Sequence, residues 1–444
     1  MSNVHIGNVA EFSEKFGVCE HPEDRRNVRD ECDIYASLAP FLTTDPGLVV
    51  LARGVDDDRW WERLAGSLQW TALEPYVREV DLEDNLSDAI RRDRPLMERI
   101  RGAVKSGGTV LPWGETAPFR TLAQQLPGVT LSTADDVHWK VETKISNHDV
   151  FRTVAAKTIT RVRVPDMSVC EDEDALVARM LSAGESGRGV VLKSPWGVGG
   201  WGTAEVSVDW LMSERTCRRA LRYLENKDSF FEDYPIVVQR WIMRGAGTDC
   251  DPSCDGEVTV DGEVEVRGLT SMLISETHYS GSVTRRFGAA GSGVWLELSA
   301  FTRAVGEQLS FAGYRGWFDV DFIIDPSGTP YALEINARRT GPVVALNLLA
   351  RLDELGRREV GSVASNDAFA LPSRIHAKDA FEIFDAAVRA VGFDAVPTHF
   401  LGTDGLLPTL GVAVPGADHV EALARLGSLG AEIRRLAWIQ ADDG

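Results

Sequence analysis

The sequence has few of the features that mark secreted, membrane-spanning or disulfide-stabilised proteins. Its six cysteines are sparse and irregularly spaced along 444 residues, so we expect no disulfide framework. No stretch reaches the ~18 consecutive apolar residues of a membrane span. The N-terminal MSNVHIGNVAEFSEKFG carries charges where a signal peptide would have its apolar core. These absences predict a cytoplasmic protein that makes no contact with membranes.

Basic residues are fewer than acidic ones. The chain has 67 acidic and 47 basic residues, which gives a formal net charge of −20. Because nucleic acids and anionic membranes bind cationic surfaces, we expect neither as a partner. A polyanionic ligand would have to bind in a local basic pocket.

The one close cysteine pair is Cys250 and Cys254, in CDPSC. A metal site is one interpretation, but no second pair or neighbouring histidine completes the four ligands of a zinc site. We predict two free thiols beside a turn.

The chain is long enough for two to four domains of about 100 to 200 residues each. Residues 1–140 alternate strand-like and helix-like stretches, including strands at 47–52 and 109–114, which predicts parallel strands covered by helices. From residue 141 on, strands separated by glycine-rich or acidic turns predict an α+β body with antiparallel pairing. Within it, a helix over 147–159 is predicted to begin at the N-cap candidate Asn147. The C-terminal stretch reads as a strand, a helix and a second strand.

A glycine-rich loop follows one of these strands, in VVLKSPWGVGGWGT. The strand ends at Lys193, and the loop contains Gly197, Gly199 and Gly200. Glycines let a backbone approach a ligand closely and direct successive N–H groups at one anion, so a phosphate cradle is one interpretation. A glycine-rich hairpin turn is the other. The lysine precedes the glycines, which is the wrong order for a P-loop or a protein kinase.

A pair of acidic strands forms the second candidate site, in RGWFDVDFIIDPSGTPYALEIN. Alternate residues of a strand share a face, so Asp319 and Asp321 point together, as do Glu334 and Asn336. Oxygen ligands of this kind favour Mg²⁺, which proteins hold with one or two carboxylates plus substrate phosphates. Solvated acids on a half-exposed sheet are the default interpretation for Asp319. The same default holds for Asp325.

Two arginines, Arg338 and Arg339, leave the second strand, where they could meet a phosphate or a substrate carboxylate. We prefer Arg338 for the site. Upstream, PIVVQRWIMRG is a strand that becomes polar at Gln239 and could offer backbone groups to an adenine edge. Asp249 could then accept a ribose hydroxyl, although a plain strand and turn also explains this stretch.

Taken in order, these motifs resemble the ATP-grasp superfamily over residues 141–375, most strongly in DVDFIIDPSGTPYALEINARRTG. The resemblance implies two α+β lobes that grip ATP, with Mg²⁺ on Asp321, Glu334 and Asn336. It also implies specific contacts with the nucleotide and the intermediate: Lys193 on a phosphate, Arg338 on an acyl phosphate, and Gln239, Arg240, Trp241 and Ile242 along the adenine.

The sequence departs from the family pattern at two points: Arg240 stands where many members have glutamate, and the first ATP-binding lysine is not at its usual place. At the family's usual distance before the proline that closes the preceding helix, here Pro165, this chain has Arg152 in place of a lysine. Lys144 and Lys157 lie on either side of it. We keep Lys144 as a candidate for this nucleotide contact.

The whole chain resembles the peptide ligases of pheganomycin-type biosynthesis. This implies an α/β pre-ATP-grasp domain over 1–140, an A lobe over 141–235, a B lobe with the metal site over 236–375, and a small α+β unit over 376–444. It further implies an ADP-forming ligase that uses ATP and Mg²⁺. Such an enzyme joins a nonproteinogenic amino acid of the guanidino phenylglycine type, through its acyl phosphate, to the N-terminal amine of a peptide.

A second glycine-rich loop, GSVTRRFGAAGSG, could cover these substrates with Arg285 and Arg286. His278 and Arg339 are further substrate candidates. Three alternatives stay open: a ligase for another small carboxylate and amine, a phosphotransferase that stops at a phosphorylated product, and a non-catalytic nucleotide-binding module. The oligomeric state is also open, with a homodimer as one option.

Overall fold

The structure is a computed structural model. It describes residues 3–14, 29, 32, 35–52, 58–81, 84–127, 129, 133, 135–197, 200–275, 278–285, 293–372, 375–401 and 408–442. Contacts between Cα atoms divide the chain into two compact units. Unit 1 comprises Met1–Leu131, Ser280–Ala289 and Arg338–Gly444, and unit 2 comprises Ser132–Tyr279 and Ala290–Ala337. Each unit therefore joins segments that are distant in the sequence.

The strands of the described residues are β1 Asn3–Gly7, β2 Pro46–Leu51, β3 Glu74–Val77, β4 Val110–Pro112, β5 Met167–Cys170, β6 Val190–Lys193, β7 Thr203–Val206, β8 Ile236–Arg240, β9 Pro252–Val258, β10 Val264–Ser275, β11 His278–Arg285, β12 Gly316–Ile324, β13 Pro330–Asn336, β14 Ser362–Ala370, β15 Val396–Leu401 and β16 Thr409–Gly416.

The α-helices of the described residues are α1 Val9–Ser13, α2 Asp58–Leu68, α3 Leu86–Arg92, α4 Arg94–Lys105, α5 Ala117–Ala123, α6 Asp135–Glu142, α7 Lys144–Lys157, α8 Glu173–Glu185, α9 Glu214–Lys227, α10 Gly293–Phe311, α11 Val343–Glu354, α12 Ala377–Val391 and α13 His419–Asp442. Within this described part, no helix is long and apolar enough to cross a membrane.

The N-terminal part of unit 1 is a parallel sheet with strand order β3-β2-β1-β4. All six residues of β2 are buried. The helices that follow place Ile90, Leu96, Ile100 and Phe119 in one core with the strands. The predicted alternation of parallel strands and covering helices is therefore confirmed.

The rest of unit 1 contains β11 from Ser280 onward, β14, β16 and β15, which neighbour one another in that order through antiparallel pairs. The predicted second strand at the C-terminal end is wrong, because the chain forms the single helix α13 there. Leu426, Leu429 and Ile433 are buried at helical spacing, which a strand would place on alternating faces.

One sheet of unit 2 has the strand order β5-β8-β6-β7, with antiparallel pairs throughout. Helices α8 and α9 add Leu176, Met180 and Leu221 to its core. Strand β8 lies between β5 and β6, although the predicted lobe boundary at 235/236 separates it from both. The four-domain division stays a prediction.

The other sheet of unit 2 has the strand order β13-β12-β9-β10, again with antiparallel pairs. Phe151 of α7 and Phe301 of α10 pack in its core. The tight β12–β13 turn is closed by Asp325, whose Oδ1 accepts the N–H groups of Ser327 and Thr329 at 2.9 Å each. This is the local hydrogen bonding that favours aspartate at the first position of a turn.

The start of α7 corrects the prediction that Asn147 is an N-cap. The helix begins at Lys144, and Thr143 caps it by accepting the N–H of Ser146 at 3.2 Å. Asn147 is inside the helix and donates to the carbonyls of Val141 and Thr143 at 2.8 Å each. Its Oδ1 accepts the Ile335 N–H of β13, which ties the first turn of the helix to the strand.

Candidate functional site

Two rows of polar side chains cross three adjacent strands of unit 2. Residues of β9, β12 and β13 lie side by side in the strand register. The inner row is Asp255, Asp319 and Asn336, and the outer row is Ser253, Asp321 and Glu334. Asp321 is opposite Glu334 and Asp319 is opposite Asn336. The side chains of each strand share a face, as the alternation of the strands predicts.

Two buried lysines approach Glu334 of the outer row. The Nζ of Lys144 lies 3.7 Å from Glu334 Oε1, and the Nζ of Lys193 lies 3.9 Å from Glu334 Oε2. Lys193 also donates to the carbonyl of Leu333 at 3.4 Å. Burial lowers the pKa of Lys193, the charge of Lys144 lowers it further, and the carboxylate of Glu334 opposes the shift. The two ammonium groups carry more positive charge than the carboxylate of Glu334 balances, so this part of the site suits a negatively charged ligand.

Lys144 is thereby distinguished from its neighbours in the sequence. It is buried, and its Nζ also donates to the carbonyl of Gly197 at 3.4 Å. Arg152 is exposed, and Lys157 is exposed with its Nζ 3.4 Å from Gln308 Oε1. The contact with nucleotide stays a prediction for Lys144.

Among the described residues, no lysine or arginine lies as close to the carboxyl of Asp321 as Lys144 and Lys193 lie to Glu334. Asp321 Oδ1 is buried without a hydrogen-bond partner among the described residues. Burial raises the pKa of Asp321 well above its usual value, and the neighbouring carboxyls of Asp319 and Glu334 raise it further. A divalent cation would neutralise this concentration of negative charge, so the residues fit Mg²⁺.

The predicted ligand set has two carboxylates and one amide. In the described part of the chain, no three His, Cys, Asp or Glu side chains are arranged to hold a metal. A set this small leaves several positions of an Mg²⁺ ion to phosphate oxygens and water, as in sites where the metal arrives with a nucleotide.

The inner row corrects the interpretation of Asp319 as a solvated acid. Asp319 is 1% exposed, and its Oδ1 accepts a hydrogen bond from Asn336 Nδ2 at 2.8 Å. Asp255, beside it on β9, is fully buried and accepts the indole N–H of Trp317 at 2.8 Å. Burial raises the pKa of Asp255 to about 7. The two acids of the inner row are therefore buried, unlike the partly exposed Glu334 of the outer row.

The glycine-rich loop joins β6 and β7 as an antiparallel hairpin in which Lys193 pairs with Thr203. Gly197 is buried, and a Cβ there would lie 2.3 Å from the carbonyl oxygen of Trp201 and 2.9 Å from Lys144 Nζ. Gly200 has a φ of +102°, a conformation that favours glycine. Gly199 lies outside the described residues. The hairpin interpretation is correct for the backbone, and the phosphate cradle stays a prediction.

The predicted adenine segment lies at the end of β8, with Gln239 and Ile242 buried. The N–H of Arg240 donates to the carbonyl of Asp166 at 2.9 Å, and the N–H of Trp241 donates to that of Gly189 at 3.4 Å. These two N–H groups are already engaged, so a backbone donor for an adenine would have to come from the Ile242 end of the segment.

Asp249, the predicted ribose acceptor, is exposed in a short 3₁₀ turn. Its Oδ1 accepts the hydroxyl of Ser271 at 3.4 Å. His278, also in unit 2, is exposed, and its ring meets Trp201 edge to face at 6.0 Å. The roles predicted for these two residues stay predictions.

The remaining predicted arginines belong to unit 1. Arg338 is buried with its guanidinium 5.4 Å from the ring centre of Phe12, and burial lowers its pKa to about 10. Arg285 is buried as well, which also lowers its pKa to about 10. Arg339 donates to the carbonyl of Pro112 at 3.5 Å. Arg286 lies outside the described residues.

Sequence reasoning missed several residues that build this site. Asp255 and Trp317 support the inner row, and Glu142 accepts the N–H of Ala337 at 2.6 Å, directly after β13. Of these residues, only Asp255 could have been suspected from the sequence, because it is an acid within an otherwise strand-like run. Cys250 and Cys254 are free thiols, as predicted.

No protein-family model matches the chain. An L-propargylglycine–L-glutamate ligase of Streptantibioticus cattleyicolor is 37% identical over 92 residues, which is 20% of this chain and 18% of that enzyme. The chain thus matches less than a fifth of the length of this curated relative.

Solved structures resemble nearly the whole chain. An N5-carboxyaminoimidazole ribonucleotide synthetase with ADP has a TM-score of 0.54 at 12% identity and covers 98% of each chain. The Staphylococcus aureus N5-carboxyaminoimidazole synthetase with ADP has a TM-score of 0.53 at 9% identity and covers 97% of each chain. The biotin carboxylase domain of the Hydrogenobacter thermophilus 2-oxoglutarate carboxylase, with MgADP and bicarbonate, has a TM-score of 0.54 at 14% identity over 96% of this chain and 89% of that one.

These likenesses identify the fold. The chain has the ATP-grasp fold, with an α/β N-terminal part, as its motifs predicted.

Proposed function

We propose that the protein is an ATP-dependent, ADP-forming ligase that joins a carboxylate to an amine. More specifically, the carboxylate is that of a nonproteinogenic amino acid of the guanidino phenylglycine type, and the amine is the N-terminus of a peptide. The observation that carries the proposal is the buried pair Lys144 and Lys193 on either side of Glu334, beside Asp321 and under a glycine-rich hairpin.

The electrostatics of this arrangement suit a bound nucleotide. Two buried ammonium groups next to carboxylates are costly unless a ligand completes the charge balance. A triphosphate together with a divalent cation would supply both signs, with the phosphates near the lysines and the cation near the acids. The ATP-grasp fold and relatives solved with ADP support the same ligand.

The residues assigned to the cation are Asp321, Glu334 and Asn336 through its Oδ1. When bound there, Mg²⁺ would neutralise charge on the phosphates of the nucleotide. Lys193 and Lys144 would bind phosphate oxygens and orient the terminal phosphate for transfer. The glycine-rich hairpin would exclude water from the transferring group.

The reaction needs two displacements. A carboxylate oxygen attacks the γ-phosphorus of ATP, the bond to the β,γ-bridging oxygen breaks, and ADP leaves. The amine nitrogen then attacks the acyl carbon, the bond to the phosphate oxygen breaks, and inorganic phosphate leaves as the nitrogen loses its extra proton. We keep Arg338 as the predicted partner of the acyl phosphate.

The substrate class rests on two supports of different kinds. The motifs and overall organisation resemble the peptide ligases of pheganomycin-type biosynthesis. The partial match to a ligase named for L-propargylglycine and L-glutamate supports an amino acid as the carboxylate or amine component.

Product analysis tests this function. Purified protein is incubated with MgATP, a panel of phenylglycine-like and standard amino acids, and a short peptide mixture. Nucleotides are followed by chromatography and new products by mass. We expect ADP together with a mass equal to acid plus peptide minus water.

Other products would contradict the proposal in distinct ways. AMP with pyrophosphate would indicate adenylation in place of an acyl phosphate. ADP with a phosphorylated acid and no amide would indicate a phosphotransferase.

A substitution tests the metal site separately. Glu334→Ala should fold and lose ATP turnover at saturating Mg²⁺, and unchanged turnover in this variant would contradict the assigned metal site.

A further inference from the structure

We propose that Asp319 is a positioning residue that fixes the amide of Asn336 so that Oδ1, and not Nδ2, is available to a bound cation. This inference rests on the proposed function and adds a residue that the family resemblance does not include. Asp319 acts through Asn336 and needs no contact with the cation itself.

The geometry of the inner row supports a single amide orientation. Asn336 Nδ2 donates to Asp319 Oδ1 at 2.8 Å and to Asp321 Oδ2 at 3.1 Å. Both protons of the amide nitrogen are thus directed into the sheet between two acids. Among the bonds between described residues, none uses the oxygen of the same amide, which is left for a ligand.

The opposite orientation is unfavourable. A rotation of the amide by 180° would place Asn336 Oδ1 against Asp319 Oδ1, so that two acceptors would face each other. Asn336 is 7% exposed and Asp319 is 1% exposed, so water cannot readily replace the lost hydrogen bond. Asp319 Oδ1 is the acceptor of the Asn336 Nδ2 bond and offers the amide oxygen no N–H, which is why an aspartate at position 319 specifies the orientation.

Asp319 is itself held by its neighbours in the sheet. It lies on β12 between Asp255 of β9 and Asn336 of β13, in register with both. The indole N–H of Trp317 binds Asp255 Oδ1 at 2.8 Å, which anchors the far end of the row. Asp319 therefore has Asn336 on one side and the Trp317-bound Asp255 on the other.

The chemical consequence follows from what Mg²⁺ binds. The cation takes oxygen ligands and no amide nitrogen, so an asparagine contributes only in one of its two orientations. Groups that orient a metal ligand typically change metal affinity by about 10- to 100-fold when they are removed.

The test compares metal binding by wild type, Asp319→Leu and Asp319→Asn, with Asp325→Asn as a matched control. Asp325 is an acid of the same hairpin, and its carboxyl closes the turn. Binding of Mn²⁺ in the presence of ADP is measured by electron paramagnetic resonance. We expect Asp319→Leu to weaken Mn²⁺ binding by about 10- to 100-fold, and Asp325→Asn to match wild type.

A swapped pair provides the decisive comparison if Asp319→Leu fails to fold. In the double variant Asp319→Asn with Asn336→Asp, the amide at 319 can donate to the carboxylate at 336, whose second oxygen remains for the cation. The swap should bind Mn²⁺ more tightly than Asn336→Asp alone, in which two carboxylates face each other. If the loss of Mn²⁺ affinity in the double variant equals the sum of the losses in Asp319→Asn and Asn336→Asp, the inference would be overturned.

A metal-free measurement reads the orientation directly. Selective ¹⁵N labelling of asparagine, with Asn336→Asp for assignment, identifies the side-chain NH₂ signals of Asn336. These signals should be protected from exchange in wild type and lose protection in Asp319→Leu, while unchanged protection would overturn the inference. Normal Mn²⁺ binding in folded Asp319→Leu would overturn the inference alone, whereas no Mn²⁺ binding by wild type would overturn the proposed function with it.

Discussion

Lys144 illustrates how a single residue is brought to a site by the start of a helix. Thr143 caps α7, so Lys144 becomes its first residue, and Asn147 binds this turn to β13 through the Ile335 N–H. The Lys144 ammonium then lies within 3.7 Å of Glu334. Because the helix start determines this placement, a shift of one turn would remove the lysine from the acid.

Replacement of Lys144 tests its contact with nucleotide. Lys144→Met retains most of the length of the side chain and removes the charge, so we expect ADP and ATP to bind about tenfold or more weakly, given ~1.5 to 3 kcal/mol for a hydrogen bond to a charged group. Isothermal titration calorimetry measures the affinity. Lys157→Met, at the exposed end of the same helix, is the control and should match wild type. Equal losses in both variants would assign the effect to the charge of the protein as a whole.

At this scale, part of the site could be predicted from the sequence. Strand alternation was enough to put Asp319 and Asp321 on one face of their strand, and Glu334 and Asn336 on one face of theirs. The register that places Asp321 opposite Glu334 came from the structure. The burial of Asp319 could not be predicted, because it depends on the pairing of β12 with β9 and on Asp255 of β9, which binds the indole of Trp317. Neither contact is local in the sequence.

At the scale of elements, the β6–β7 hairpin shows why glycine is needed beside the lysines. At Gly197 the close contacts of the loop limit which side chain can fit. A Cβ would lie 2.3 Å from the Trp201 carbonyl oxygen, which is backbone and cannot turn away. The loop must therefore move if any side chain is added here.

Gly197→Ala tests whether the shape of this hairpin matters for nucleotide binding. We expect the loop to shift away from Lys144 and the affinity for ATP to fall by about tenfold, which corresponds to ~1.4 kcal/mol. Gly102→Ala, in the middle of α4 where a Cβ meets nothing within 4 Å, is the control. It should retain ATP affinity and gain up to about 1 kcal/mol in the free energy of unfolding, as alanine favours a helix. Retained affinity in Gly197→Ala would contradict a phosphate-binding role for the loop.

The elements themselves were predictable where a pattern was long and local. The parallel N-terminal strands and the β12–β13 hairpin followed from alternation and turn residues. The C-terminal helix α13 was predicted too short because its small and apolar residues, GSLGAEI, also suit a strand. Burial of Leu429 and Ile433 at helical spacing decides the matter in the folded chain.

At the scale of the whole molecule, two compact units are each assembled from separated segments. Unit 1 takes residues from the beginning, the middle and the end of the chain. Linear domain boundaries could not anticipate this, because they assume that neighbours in sequence fold together. Strand β8 gives a second example, since it pairs with β5 and β6 across a predicted boundary.

Two buried histidines of unit 1 make the stability of the molecule depend on pH. Burial lowers the pKa of His5 to about 4, with a further contribution from the charge of Arg339, and burial lowers the pKa of His399 to about 4. Between the ordinary value of 6.5 and about 4, the unfolded chain binds more protons than the folded one, so the free energy of unfolding falls as the pH falls.

Each of these histidines should lower the free energy of unfolding by about 3 kcal/mol once the pH is below 4. Part of that decrease should be measurable by pH 5. Denaturant titrations of wild type and His399→Gln at pH 8, 7, 6 and 5 measure it, and the difference in unfolding free energy between the two proteins isolates the histidine from the many titrating acids. We expect wild type to lose stability relative to His399→Gln as the pH falls below about 6.5. His376→Asn, at an exposed histidine before α12, is the control and should follow wild type at every pH. A difference between wild type and His399→Gln that stays constant from pH 8 to 5 would show that His399 accepts a proton without cost to the fold.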